Sequence, residues 1–324
     1  MKVFTKNIYL TSYIIIWALC LLVLEFFTRY FFPEINFQGT DNQLIVRYER
    51  EGRYGLKPNF SAKSFGVEII TNDFGYRKTN LNYDFRKPNW LLLGDSVLMG
   101  VGVEKDSTFA GRLSVEYKNW NVLNAGVIGF SSEDYIKQLD NALENYELKR
   151  VSLFFCLNDI YNKDPGINNN SPGQKLNHYL SPLLSFLREN STFYLLLKNI
   201  IFDRSKKYFE FDSYLYRNEQ SLINEAISNI NILNNTLSKR GIPFEIYLIP
   251  YEYQLRLKED NFLTYPQDIL NHKMNNLKIN VKDTFNFMSK FISGKSKDLF
   301  LYGDPMHFSN KGHRILFKYI YLNQ

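Results

Sequence analysis

The sequence predicts an α/β domain with a mostly parallel sheet, preceded by one helix long enough to cross a membrane. From Asn89 onward, short apolar runs alternate with stretches of helical periodicity, and this alternation favours a parallel sheet covered by helices on both faces. An uncharged run near the N-terminus, 8–24, predicts the membrane helix. The predicted strands are 90–93, 122–124, 151–157, 245–249 and 277–281, and the predicted helices include 108–118, 132–145 and 219–239.

Length and composition indicate a folded chain with a sizeable core. The 324 residues are 45% hydrophobic and 22% charged, which excludes wholesale disorder, collagen and coiled coil. The net charge of +6 is spread along the chain and not gathered into basic runs, so no nucleic-acid partner is predicted.

The scarcity of metal-ligating residues and of nucleotide-binding motifs predicts a protein without a cofactor. The only cysteines, Cys20 and Cys156, lie in segments that are expected to belong to different parts of the protein, so no disulfide is predicted between them. The four histidines show no paired-ligand spacing. No phosphate loop or dinucleotide fingerprint is present. We therefore predict no structural metal and no bound nucleotide.

Residues 1–32 are predicted to be an N-terminal membrane anchor. The run 8–24 is about one bilayer crossing long. Lys2 and Lys6 precede it, which predicts a cytoplasmic N-terminus and a periplasmic or extracellular catalytic domain. A retained anchor is favoured over a cleaved signal peptide because the run continues into Glu25 without a small-residue cleavage site. The alternative is a buried core helix of a soluble protein.

The rest of the chain divides into two predicted units. Residues 33–87 are polar and rich in turn formers, and they predict a stalk with a small strand-turn unit whose strand is 67–70. Residues 88–324 form the α/β domain. Within it, 160–215 interrupts the alternation and is predicted to be an insertion near the site entrance, with an extra packing helix as the alternative.

Polar and glycine residues follow three of the predicted strands, at the sheet edge where a site is expected. Ser96 follows the first strand in Gly94-Asp95-Ser96, and a serine at a strand-to-helix turn can direct its backbone N–H toward an oxyanion. Gly129 after the second strand can offer another N–H, and Asn158 after the third can offer its side-chain amide. Three donors at neighbouring strand ends are what an oxyanion hole requires.

An acid and a base occur together near the C-terminus. Asp304 precedes His307 by three residues, so its carboxylate can reach Nδ1 of the imidazole and leave Nε2 facing a serine hydroxyl. The later His313 is expected to begin a helix and not to act as a ligand.

These segments resemble the conserved blocks of the SGNH/GDSL hydrolases, a family of serine esterases and lipases. The resemblance covers about residues 89–324 and implies a flavodoxin-like, three-layer αβα sandwich. By that resemblance Ser96 is the nucleophile, His307 the general base and Asp304 its orienting acid.

The resemblance also implies an oxyanion hole formed by the Ser96 N–H, Gly129 and Asn158. The chain departs from the family pattern at three points. Val97 replaces the usual leucine, Cys156 replaces a glycine of the third block, and Gly126 is an alternative to Gly129.

The function expected from this resemblance is a serine-dependent ester hydrolase that removes O-acyl groups, acetyl in particular, from a cell-envelope glycan through an acyl-Ser96 intermediate. The anchor and the strand-turn unit are similar to those of bacterial envelope members of the family. Three alternatives remain open: an O-acyltransferase to an envelope polysaccharide using the same triad, a lipase or phospholipase, and a catalytically silent glycan-binding protein. The expected partners are an acylated carbohydrate or other ester and the membrane.

Overall fold

The computed structural model describes residues 2–48, 53–161, 172–257, 261–292 and 296–323. A long helix, α1, spans Lys2–Phe31. Four short strands follow: β1 Ile45–Tyr48, β2 Arg53–Leu56, β3 Ser61–Ser64 and β4 Val67–Ile70. The α/β domain contains β5 Asn89–Gly94, α2 Ser96–Met99, α3 Phe109–Glu116, β6 Asn121–Asn124, α4 Ser132–Asn145, β7 Leu148–Cys156, α5 Pro172–Asn190, α6 Thr192–Ile201, α7 Arg204–Asn218, α8 Gln220–Lys239, β8 Phe244–Ile249, α9 Glu252–Arg256, α10 Tyr265–Asn276, β9 Asn280–Asp283, α11 Phe285–Ser289 and α12 Asn310–Leu322.

Five parallel strands form the main sheet in the order β6-β5-β7-β8-β9. Counted along the chain this order is 2-1-3-4-5, the doubly wound arrangement of flavodoxin-like folds. The sequence-based prediction of fold class is therefore confirmed. All six residues of β5 are buried, which explains why this strand reads as a continuous apolar run. Helices α3 and α12 pack together, as do α4 and α8, and these pairs cover the sheet.

The last predicted strand is displaced toward the C-terminus. Lys278 takes a left-handed φ of 57° just after α10, so the backbone at this point turns instead of extending. Strand β9 begins only at Asn280. The apolar residue Ile279 is buried in this turn, which means that its hydrophobicity reports core packing and not a strand.

The described part of the segment 33–87 contains four strands where the sequence indicated one. They form two antiparallel hairpins, β1–β2 and β3–β4. Each of these strands is only four residues long. Strand β3 alternates exposed and buried positions, so its sequence contains no apolar run that would predict a strand. The buried side chain of Arg77 ties this segment to the α/β domain by donating to the backbone carbonyls of Met99, Gly100 and Val103 at 2.6–2.7 Å. The division into anchor, stalk unit and hydrolase domain stays a prediction.

Helix α1 includes a stretch, Thr11–Phe31, that is long and apolar enough to cross a membrane. The insertion predicted at 160–215 contains α5, α6 and most of α7 in its described part, while residues 162–171 lie outside the described residues. The break between α5 and α6 falls at Ser191, whose hydroxyl caps α6 by accepting the backbone N–H of Tyr194 at 3.1 Å.

Candidate active site

Ser96 lies at the first position of α2, immediately after the central strand β5. The preceding Asp95 caps the helix, because its Oδ1 accepts the backbone N–H of Val97 at 2.8 Å. Gly94 is required at the strand end, since a Cβ there would lie 2.8 Å from Leu98 Cβ and 3.1 Å from the Phe154 carbonyl oxygen. The result is a sharp strand-turn-helix that leaves the Ser96 hydroxyl at the carboxyl edge of the sheet.

The structure brings Ser96, His307 and Asp304 together although the serine and the histidine are separated by 211 residues. His307 Nε2 lies 2.8 Å from Ser96 Oγ, and Asp304 Oδ2 lies 2.9 Å from His307 Nδ1. At this distance the carboxylate of Asp304 holds the ring in place. Asp304 Oδ1 accepts the backbone N–H groups of Met306 and His307 at 3.0 and 2.9 Å, which locks the loop that carries both residues.

Electrostatics prepares the imidazole to accept a proton. Burial lowers the pKa of His307, but the Asp304 charge outweighs it and raises the pKa above its usual value, with a further contribution from Asp95. Burial likewise raises the pKa of Asp304, and the His307 partner outweighs it, so the pKa falls to about 2. A carboxylate that stays ionised beside the ring stabilises the imidazolium that forms when serine loses its proton.

The other histidine of this part of the chain has a different environment. His313 lies in the first turn of α12, and its Nδ1 accepts the backbone N–H of Phe109 at 3.3 Å. Burial lowers its pKa to about 3, so it is neutral at physiological pH. His313 therefore packs α12 against α3.

Gly129 occupies the loop after β6 with a left-handed φ of 81°. Its carbonyl accepts the hydroxyl of Tyr54 at 2.8 Å, which fixes the orientation of this peptide. The N–H of Gly126, the alternative donor, is already bonded to Asn124 Oδ1 at 3.1 Å. A Cβ on Gly126 would lie 2.4 Å from the backbone nitrogen of Met99, so this glycine serves close packing against α2.

Asn158 lies in a 3₁₀ turn that follows β7, and it is only 7% exposed. Its Nδ2 lies 3.7 Å from the thioether sulfur of Met306, the neighbour of His307, and its Oδ1 has no hydrogen-bond partner among the described residues. A thioether is a weak acceptor, so this amide can donate to a stronger one. Asp159 fixes the turn, because its Oδ2 accepts the Cys156 N–H at 2.8 Å and the Tyr135 hydroxyl at 2.7 Å.

A buried group of Asp95, Cys156 and Asp159 lies behind the serine, with potential metal-ligating atoms within 4.8 Å of one another. Each carboxylate already accepts hydrogen bonds from its own loop. The Cys156 thiol, at the position where a glycine was expected, donates to Asp95 Oδ1 at 3.4 Å. This cysteine thus joins the third loop to the turn that presents Ser96.

Sequence reasoning missed an aromatic ring that covers the histidine. The ring of Phe65 packs edge-on against His307, with ring centroids 5.4 Å apart. Phe65 and Gly66 have φ values of 51° and 81° and form the tight turn between β3 and β4. The glycine at this turn was the available signal, but only β4 was recognised as a strand, so the hairpin and its position over the site were not predicted.

A cavity of about 860 Å³ borders the loop 300–303, which precedes Asp304. Residues of α6 and of the turn around Gly102 line it, whereas Ser96 and His307 do not.

No family model matches this chain, and no curated protein does. Solved structures with a similar fold include a lipolytic G-D-S-L family protein from Veillonella parvula, at 15% identity and a TM-score of 0.41 over 72% of this chain and 96% of that one. Another is an acetyl xylan esterase, at 13% identity and a TM-score of 0.44 over 72% and 98%. A lipase/acylhydrolase from Enterococcus faecalis has 15% identity and a TM-score of 0.39 over 73% and 94%. Similarities of this size do not bear on reaction or substrate, so the case for the site rests on its own geometry.

Proposed function

We propose that this protein is a serine-dependent ester hydrolase in which Ser96 is the nucleophile. The observation that carries the proposal is the chain of contacts from Ser96 Oγ through His307 to Asp304, at 2.8 and 2.9 Å. A serine, a histidine and a carboxylate in this order form the arrangement that activates a hydroxyl for attack on an acyl carbonyl.

In the first half of the reaction His307 Nε2 takes the Ser96 proton as Oγ attacks the acyl carbonyl. The Ser96 N–H, the Gly129 N–H and the Asn158 amide hold the resulting oxyanion. The tetrahedral intermediate then collapses, the ester C–O bond breaks, and His307 returns its proton to the departing alcohol. In the second half of the reaction, water attacks the acyl-Ser96 carbonyl with His307 again as base. This attack releases the free acid and restores the Ser96 hydroxyl.

The oxyanion roles draw on two features of the loops. The Gly126 N–H is bonded to Asn124 Oδ1, and this supports Gly129 as the donor. Among the described residues the Asn158 Nδ2 contacts only a thioether, so an oxyanion would be a better acceptor for it.

We propose that the ester is an O-acyl group, acetyl in particular, on a glycan outside the cytoplasm. The support is the orientation predicted from the sequence, in which Lys2 and Lys6 before the candidate span favour a cytoplasmic N-terminus and a domain on the far side of the membrane.

A lipid ester is the second candidate substrate. The observation that favours it is the position of α6, which exposes apolar side chains and also lines the cavity beside the Asp304 loop.

The test is turnover of p-nitrophenyl acetate and octanoate by the full chain, together with labelling by a fluorophosphonate. Ser96→Ala should abolish labelling and lower turnover by about 1,000-fold or more, because the proposed acyl-enzyme forms on Ser96 Oγ. Ser221→Ala, an exposed serine on α8, is the matched control and should behave as the native protein. Full turnover by Ser96→Ala would refute the proposal, and preference for octanoate over acetate would favour the lipid ester.

A further inference from the structure

Helix α6 is fixed to α1 directly after the uncharged run 8–24. Glu25 of α1 accepts four hydrogen bonds at 2.8–3.0 Å, from the Ser191 hydroxyl, the Thr192 hydroxyl and the backbone N–H groups of Thr192 and Phe193. These N–H groups are the unpaired donors at the start of α6, where a negative charge is favourable. Arg29, which pairs with Glu25, also donates to the Asn190 carbonyl at 3.1 Å. Helix α6 therefore begins beside Glu25, six positions before the end of the candidate span.

The free side of α6 is apolar and exposed. Leu197, Ile200 and Ile201 are 40%, 71% and 65% exposed, and they lie three and four positions apart, on one side of the helix. Phe202, directly after the helix, is 62% exposed. We call these four residues the α6 apolar surface. Leu195 is buried, so the helix has a second side that packs against the protein. Contiguous exposed apolar groups of this kind mark a contact surface.

Three cations accompany this surface: Arg188 on α5, Lys198 on α6 and Arg204 on α7. Among the described residues, none of them forms an ion pair with a carboxylate, and the Arg204 guanidinium instead donates to the amide of Gln38 at 3.0 Å. Burial is the main cause that lowers the pKa of Lys198 to about 8; the charges of Arg204 and Arg188 act in the same direction, and the charge of Asp304 opposes them. The three cations outnumber Asp304, the carboxylate that acts on Lys198 and Arg204, and an anion from outside the chain would offset this excess of positive charge.

We propose that the α6 apolar surface lies in the interface of the membrane that α1 crosses, with Ile200, Ile201 and Phe202 among the lipids and the three cations at anionic headgroups. Apolar residues flanked by lysine and arginine are typical of interfacial helices. A second copy of the chain is a poorer occupant, because it would bring the same cations to the same surface. The attachment through Glu25 leaves α6 little freedom to leave the membrane surface once α1 is inserted.

This placement extends to the active site. The side chain of Asn199 lies so close to Gly303 that a Cβ on the glycine would be 1.9 Å from Asn199 Nδ2. Helix α6 thus contacts the span at its first residue and the Asp304 loop near its last. The reactive serine is held at a set height above the bilayer, where it would meet esters at or near the membrane surface.

The test measures the depth of spin labels on the full chain reconstituted in phosphatidylethanolamine–phosphatidylglycerol vesicles. In a Cys20→Ser background, Ile200→Cys supplies the label on the α6 apolar surface. Ile232→Cys, 45% exposed on α8, supplies the matched control, while Cys156 is buried and stays unlabelled. We expect the label at 200 to collide mainly with membrane-dissolved oxygen and the label at 232 mainly with a water-soluble nickel chelate.

A label at 200 as accessible to the nickel chelate as the label at 232 would overturn the proposal. Shielding of position 200 from both reagents would also overturn it, because it would mean that protein covers the surface. Labelling of the native Cys20 reports separately whether α1 is inserted. Replacing Arg188 and Lys198 by glutamine should move the label at 200 toward water, and more so in phosphatidylglycerol vesicles than in phosphatidylcholine. All measurements can be made with Ser96→Ala, so their outcome is independent of the proposed hydrolase activity.

Discussion

The carboxyl edge of the sheet buries polar groups, whereas the insertion α5–α7 exposes apolar groups. At the sheet edge, the buried carboxylates of Asp95, Asp159 and Asp304 all accept hydrogen bonds from their own loops. On α6, apolar side chains such as Ile200 face outward, and Lys198 lacks a described acidic partner. The contrast is between buried carboxylates that have hydrogen-bond partners in their own loops and exposed apolar side chains that we propose to lie against lipid.

The largest effect is expected at the sheet edge. Asp304→Asn keeps the oxygen that accepts the loop N–H groups but removes the charge beside His307, and the amide favours the wrong tautomer. We expect kcat to fall by about 10,000-fold. Because His307 must be neutral to accept a proton and Asp304 raises its pKa, the acid limb of the pH–rate profile should also move to lower pH.

The control for this change is Asp298→Asn. Asp298 is an exposed carboxylate whose Oδ2 lies 3.6 Å from Nζ of Lys311. Its kcat and pH profile should match those of the native protein. An unchanged acid limb in Asp304→Asn would show that Asp304 does not set the pKa of His307.

A smaller effect is expected from Asn158→Ala. Loss of one oxyanion donor should lower kcat by about 100-fold or more while KM changes little, because the lost interaction exists mainly in the transition state. Steady-state kinetics on an activated ester measures it. A rise in KM at constant kcat would assign Asn158 to ground-state binding instead.

Arg77→Met probes whether the segment 33–87 supports the sheet edge. The substitution leaves the carbonyls of Met99, Gly100 and Val103 without their buried donor, so we expect the free energy of unfolding to fall by about 2 kcal/mol. Arg86→Met, which removes only an exposed pair with Asp84, should cost less than about 1 kcal/mol. Equal losses, measured by denaturation of the full chain in detergent, would refute a supporting role for Arg77.

The smallest effect is expected on α6. Ile200→Ala should change the free energy of unfolding in detergent by less than about 0.5 kcal/mol, because the side chain has few protein neighbours to lose. Leu195→Ala, on the buried side of the same helix, should cost about 2 kcal/mol or more. A large loss for Ile200→Ala would show that this residue belongs to the core.

Local patterns were sufficient to predict the fold class and the residues at the strand ends. Ser96, Gly129 and Asn158 each follow an apolar run, and parallel strands bring their carboxyl ends to one edge, so their shared location could be inferred from order alone. The Asp304–His307 pair could also be predicted from the sequence, because a spacing of three residues is enough for the two side chains to meet. The strand at 277–281 was misplaced because burial in a turn and burial in a strand leave the same apolar signal.

From the sequence alone follow the parallel αβα architecture, the candidate membrane helix and the candidate reacting groups, because each is encoded in periodicity, spacing or a short motif. The tertiary structure decided that Phe65 covers His307, that Arg77 supports the loop after Ser96 and that Glu25 caps α6. These contacts join residues that are distant in the chain, as Glu25 and Thr192 are, 167 positions apart. Such a contact cannot be predicted from a local sequence pattern. It forms only when packing brings a charged or aromatic side chain close to a group elsewhere in the fold.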